Sequence, residues 1–173
     1  MYYSPFASIW IILYYLIAFL FYNAAIILEL VGLWFTYRKM GLPGWKGIIP
    51  FYSSYVLFEK LWDKKMFWRV IIYLCISFGV SILGSVLMII GAMNAASEAV
   101  NIILIALGVS FEISSVVLAI LTIVIMFRLY KKMAHAFGLK DAWAWGLLFI
   151  PYVMLPIIGF NKNIIYYGPV NQV

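Results

Sequence analysis

Two carboxylic acids, Glu29 and Glu112, stand inside long apolar runs, where a carboxyl group needs either a chemical task or a partner. An Asp or Lys near the centre of a bilayer costs roughly 2.5 to 3.5 kcal/mol on insertion scales, so such groups face protein or water. Counting back from Arg38 and Arg128 along helices sets Asn23 roughly 22 Å and Glu112 roughly 24 Å from the basic boundary, and the two are expected to meet near the midplane. Glu29 falls roughly 13 Å from that boundary. Glu112, with Asn23 and Ser81 beside it, reads as a proton or cation site, and Glu29 as a second step on the same path. The competing reading makes both acids packing glue, hydrogen-bonded between helices.

The other polar candidates carry less. His135, beside Lys131 and Lys132, is expected to be a solvated loop histidine, and Asp141 to cap a helix beginning near Ala142. Cys75 is the single cysteine; within its apolar run it reads as a small packing residue. One histidine with one cysteine does not make a usual zinc site, so neither a metal nor another cofactor is expected. Gly41-Leu-Pro-Gly44 lacks the Gly-Lys-Ser/Thr ending of a phosphate-binding loop.

The elements that must position these groups are long and apolar. Hydrophobic residues make up 67% of the 173 and charged residues 10%, and the mean hydropathy is +1.07. A water-soluble domain of this size could not hide that surface. Continuous apolar runs near the ~20 residues that a helix needs to cross hydrocarbon predict an all-α membrane protein; a barrel would alternate. Three full spans are expected, over about 6–37, 67–93 and 100–127. A fourth stretch, 143–160, contains Pro151 and Pro156, and a kinked crossing is preferred there to a re-entrant hairpin. Between the first two spans, 41–62 carries Gly, Pro, aromatics and two charges, which fits an interfacial segment.

The net charge of +6 follows topology more than any single folded face, so no nucleic-acid partner is expected. Lys and Arg gather in 38–69 and 128–142, which the positive-inside rule makes cytoplasmic, with the N-terminus outside a cell inner membrane. Met1 to Tyr37 holds no Lys or Arg, so it reads as a retained helix and not a cleaved leader. Membrane lipid is therefore the first partner implied. Counting outward from a loop centred near Ala96, Ser77, Ser81 and Ser85 on one arm are expected to meet Ala106, Ser110 and Ser114 on the other, since small residues let helices approach in lipid.

An order of residues recurs. Tyr37-Arg-Lys-Met40 precedes Gly41-Leu-Pro43-Gly44-Trp45 and Ile49-Pro50-Phe-Tyr52, while Tyr130-Lys-Lys-Met133 precedes Gly138-Leu139, Trp143 and Ile150-Pro151-Tyr152. Duplication and convergent interface chemistry both explain it. These segments resemble a family of small, uncharacterised bacterial multi-pass membrane proteins with Gly-x-Pro-Gly-Trp and Ile-Pro-aromatic-Tyr motifs. Ala136-Phe-Gly138, Gly146-Leu147 and Ile158-Gly-Phe160 are similar to a later element of that family. Leu42 and Ser53 depart from its usual lysine and asparagine.

Some relatives carry a signal-peptidase label, which would imply a serine nucleophile and a lysine base. No lysine lies inside an apolar span here, so the chain is not expected to be an enzyme. Four spans enclose little space in one subunit, so the expectation is a homo-oligomeric channel-like or transporter-like protein for a cation or proton. Its alternative is a non-transporting accessory or immunity-type protein that binds another membrane protein.

Overall fold

The computed structural model describes residues 5–93 and 97–169, with side chains from residue 9 onward; the expected loop centre at Ala96 lies outside the described residues. All regular structure among them is helical. Three helices are long and apolar enough to cross a membrane: α1 (Pro5–Lys39), α4 (Lys64–Met93) and α5 (Glu98–Ala136). Between α1 and α4 lie α2 (Trp45–Ile48) and α3 (Tyr52–Leu61), and after α5 come α6 (Ala142–Phe149) and α7 (Pro151–Phe160). The protein is thus an all-α, multi-pass membrane protein.

Two of the long helices stop by the same device. Beyond α1, Gly41 takes φ 74°; its N–H bonds to the Arg38 carbonyl and the Leu42 N–H reaches back to the Tyr37 carbonyl. Beyond α5, Gly138 takes φ 68°, and the N–H groups of Gly138 and Leu139 bond to the carbonyls of His135 and Ala134. This is the Schellman stop: a left-handed residue that only glycine adopts cheaply, followed by a hydrophobic residue packed back on the helix. Leu42 and Leu139 both pack on the core. Because that stop lies at Gly138, α5 runs nine residues past the expected end at 127. His135 therefore sits in its last turn, not in a loop.

After each stop the same sequence of elements follows: a short helix, an Ile-Pro break, then a helix of ten residues. Pro50 separates α2 from α3, and Pro151 opens α7, where its missing N–H costs nothing. The two units exchange partners: α7 packs against α1, and α3 packs against α5.

The fourth apolar stretch corrects the expected kinked crossing. α6 leaves the basic end antiparallel to α5, with Asp141 beside Lys131 and Trp145 against Phe127 at 4.4 Å between ring centroids. Ile150 breaks the helix at φ −132°, ψ 55°, and α7 returns along α1. Thr36 Oγ1 donates to the Leu155 carbonyl, and Lys39 Nζ donates to the carbonyls of Ile158, Asn161 and Ile164 at 2.7, 2.6 and 3.0 Å. Both ends of the stretch therefore stand at the end of the molecule that carries Lys39 and Lys131. Eight and ten residues rise only roughly 12 and 15 Å, half of a bilayer core each, so the pair forms a re-entrant hairpin.

The buried core lies at that basic end, around Tyr37, Phe58, Leu129, Met133, Leu147 and Ile158. Away from it, α4 and α5 pack on each other. The backbone of α1 approaches neither of them among the described residues; α1 meets α5 through side chains at the basic end, where Tyr37 shares the core with Leu129 and Met133, and its large side chains from Ile9 to Leu28 are exposed.

Candidate functional site

Glu112 lies on the face of α5 that meets α4. Ser81 Oγ donates to Glu112 Oε2 at 3.1 Å, and Ser85 Oγ lies 3.0 Å from Oε1. Ser85 Oγ also lies 2.9 Å from the Ser81 carbonyl, and a hydroxyl has one hydrogen. The single Ser85 hydrogen is therefore shared between Glu112 Oε1 and the Ser81 carbonyl. The seam continues through Ser77 Oγ, which donates to the Ser115 carbonyl at 3.0 Å, and Ser115 Oγ, which donates to the Glu112 carbonyl at 2.8 Å.

Ser77, Ser81 and Ser85 thus face α5 as expected, but their expected partners do not face them. Ala106, Ser110 and Ser114 are exposed, and the hydroxyls of Ser110 and Ser114 donate to carbonyls four residues back on their own helix. The small residues that meet are Gly84 on α4 and Gly108 on α5, while Gly91 closes on Asn101, Leu104 and Ile105. A Cβ on Gly84 would stand 2.9 Å from the Gly108 carbonyl oxygen, and one on Gly108 would stand 2.7 Å from that of Gly84. Five of the seven buried positions of α5 recur every seven residues, at Gly108, Ser115, Thr122, Leu129 and Ala136, with Met133 and Ala134 added at the basic end. A spacing of four drifts roughly 40° per step around a helix, whereas a spacing of seven drifts only ~20° and stays on the contact face. Glycines seven apart, Gly84 and Gly91, were the signal to follow.

On its outer side Glu112 borders a cavity of about 380 Å³ lined by Met88, Val109, Ile113, Val116 and Val117. Asn23 is not there. It lies on α1, where Nδ2 donates to the Phe19 carbonyl at 2.7 Å, so a single chain does not assemble the expected Glu112–Asn23 pair. Glu29 is separate again and lines a cavity of about 390 Å³ between α1 and the α2–α3 segment.

At the basic end, Asp141 accepts from Lys131 Nζ at 2.7 Å and pairs with His135. The Lys131 ammonium first, and His135 second, hold its carboxyl below the usual carboxylate range. Asp141 does precede α6, but its side chain turns to these partners and makes no capping bond. Cys75 is exposed, so it is not the packing residue expected. Among the described residues no three His, Cys, Asp or Glu side chains gather as metal ligands.

The motif residues act in the backbone. Gly41 and Gly138 are the helix stops, Gly44 lies under the Trp34 ring, and Pro156 sits inside α7 against Gly32. Trp45 and Tyr52 stack with ring centroids 6.1 Å apart. No protein-family model, no curated protein and no solved structure matches this chain.

Proposed function

We propose that this protein works as a homo-oligomer of the channel or transporter kind, in which α1 of one copy lies against the α4–α5 hairpin of the next. Asn23 then enters the Glu112 cavity, and the pair forms an intersubunit site for a proton or a monovalent cation. One observation carries the reading: among the described residues the membrane half of α1 has no helix beside it, yet counting along the helices sets its Asn23 at the height of Glu112, where a cavity opens. An amide supplies both a donor and an acceptor, and only one N–H of Asn23 is used within its own chain. Such a head-to-tail contact closes into a ring when its rotation allows. The basic end faces the cytoplasm of a cell inner membrane in this reading, with the N-terminus outside.

The test uses the full chain in native membranes, with Cys75→Ser as background. Asn23→Cys combined with Ile113→Cys should give interchain disulfides on mild oxidation. In liposomes Glu112→Gln should abolish proton or cation flux while leaving assembly intact. Absence of the cross-link overturns the packing, and unchanged flux overturns the role of Glu112.

A second reading, a non-transporting accessory or immunity-type protein, draws on the serine clamp around both Glu112 oxygens, which fits a structural acid. Recovery of a stoichiometric foreign membrane subunit in mild detergent would favour it.

A further inference from the structure

The cavity between α1 and the α2–α3 segment holds three polar side chains whose polar atoms make no hydrogen bond or ion pair to the rest of the described chain. They are the Glu29 carboxyl and the Ser53 and Ser54 hydroxyls; the Ser53 carbonyl is engaged, by Tyr37 Oη, but its side chain is not. The remaining wall is apolar, with Ile26, Leu30 and Leu33 from α1 and Ile48 from α2. These three groups line one cavity and are not used by the fold, which leaves them open to a ligand's polar atoms.

The ligand's chemistry follows from the donor and acceptor count. A carboxylate and two hydroxyl oxygens accept from an N–H cluster, and the carboxylate favours a positive charge. A primary ammonium offers three donors on one cation. The cavity volume of about 390 Å³ falls in the range of small-molecule sites, and its apolar wall suits a hydrocarbon portion beside the cation.

Depth agrees. Glu29 lies between the exposed part of α1 and the buried core at the basic end, and Trp45 and Tyr52 beside the segment are half exposed as interfacial aromatics are. The rim is also strained. Phe51 has φ 61° and ψ −46°, and the Tyr52 N–H closes on the Pro50 carbonyl at 2.7 Å. That is a γ-turn with positive φ, a conformation that persists only where surroundings enforce it and that clusters at ligand clamps.

We infer that the cavity formed by Glu29, Ser53 and Ser54 binds the primary ammonium group of an amphiphile at the membrane interface. Phosphatidylethanolamine and a free long-chain amine share that group. The full-length protein in nanodiscs is measured by native mass spectrometry for retained lipid, with phosphatidylethanolamine against phosphatidylcholine. The choline nitrogen has no N–H, so the expected preference for ethanolamine is about ten-fold, as for loss of a charge-assisted hydrogen bond.

Glu29→Gln should abolish that preference, and Ser53→Ala with Ser54→Ala should weaken it while keeping the Ser53 carbonyl bond. Each variant's thermal unfolding is recorded alongside, so loss of fold is distinguished from loss of binding. Dodecylamine added to the nanodiscs should displace the ethanolamine lipid. Should dodecylamine bind in a Glu29-dependent manner while neither lipid is preferred, the ammonium site stands and its source is a free amine. Equal retention of both lipids together with no Glu29-dependent binding of dodecylamine overturns the inference.

Discussion

Lys39→Met keeps a side chain of similar length and removes the three donors that close the C-terminal end of α7. Each hydrogen bond to a charged group contributes ~1.5–3 kcal/mol, and a cation at a helix C-terminus adds ~0.3–1 kcal/mol through the helix dipole. The bond to the Asn161 carbonyl is exposed, so water replaces it and its loss counts for little. The bonds to Ile158 and Ile164 are part-buried and only partly rehydrated. About half their combined value survives as a penalty, and with the dipole the expected destabilisation is about 2–4 kcal/mol. Reversible unfolding in mixed SDS and mild-detergent micelles measures it. Lys162→Met, which removes an exposed lysine from the same region, serves as the control and should stay within ~0.5 kcal/mol. A Lys39→Met protein no less stable than that control would refute the claim that Lys39 fastens α7 to α1.

Gly32→Ala sets a Cβ 2.5 Å from the Pro156 nitrogen and 2.7 Å from the Leu155 carbonyl carbon; rigid backbone cannot yield cheaply there, so a loss of about 1–3 kcal/mol or more is expected in the same micelle assay. Gly79→Ala meets nothing within 4 Å and should instead stabilise α4 by ~0.5–1 kcal/mol. Asp141 is held below its ordinary pKa by Lys131 and His135, so its contribution is fully present above its unfolded value near ~3.9 and fades as pH falls through the lower folded value. The stability difference between wild type and Asp141→Asn should therefore be intact at pH 5 and vanish in strong acid; a difference unchanged in strong acid would exclude the ion pair as its source.

The long apolar helices were legible in the sequence because hydrocarbon imposes length and continuity on any helix that crosses it. The ends were less so. Arg128, Lys131 and Lys132 suggested an early exit from the third span, but charge does not stop a helix, whereas a glycine free to adopt positive φ does. The recurring Gly-Leu pair has a physical reading in those two stops, which both need it, whereas Tyr-x-x-Met stands at different distances from its glycine in the two. The acid seam was half legible. Counting along the helices matched the depth of Glu112 to Ser81, but a serine spacing of four pointed to Ser110 and Ser114, on the wrong face. What no count along one helix reveals is which helices are neighbours. That is why Asn23 and Glu112, at equal height, stand on parts of the chain that do not touch.

The fastening of α1 by the carbonyls of Ile158, Asn161 and Ile164 also sets a timetable for biosynthesis. Partners more than a hundred residues apart leave the ribosome many seconds apart, at ~5–20 residues per second. During that interval α1 is inserted with its basic end unfastened and Gly32 and Thr36 uncovered. α1, made long before α7, is therefore locked only late, and a nascent chain stalled before Pro151 would present an open groove to chaperones and membrane proteases.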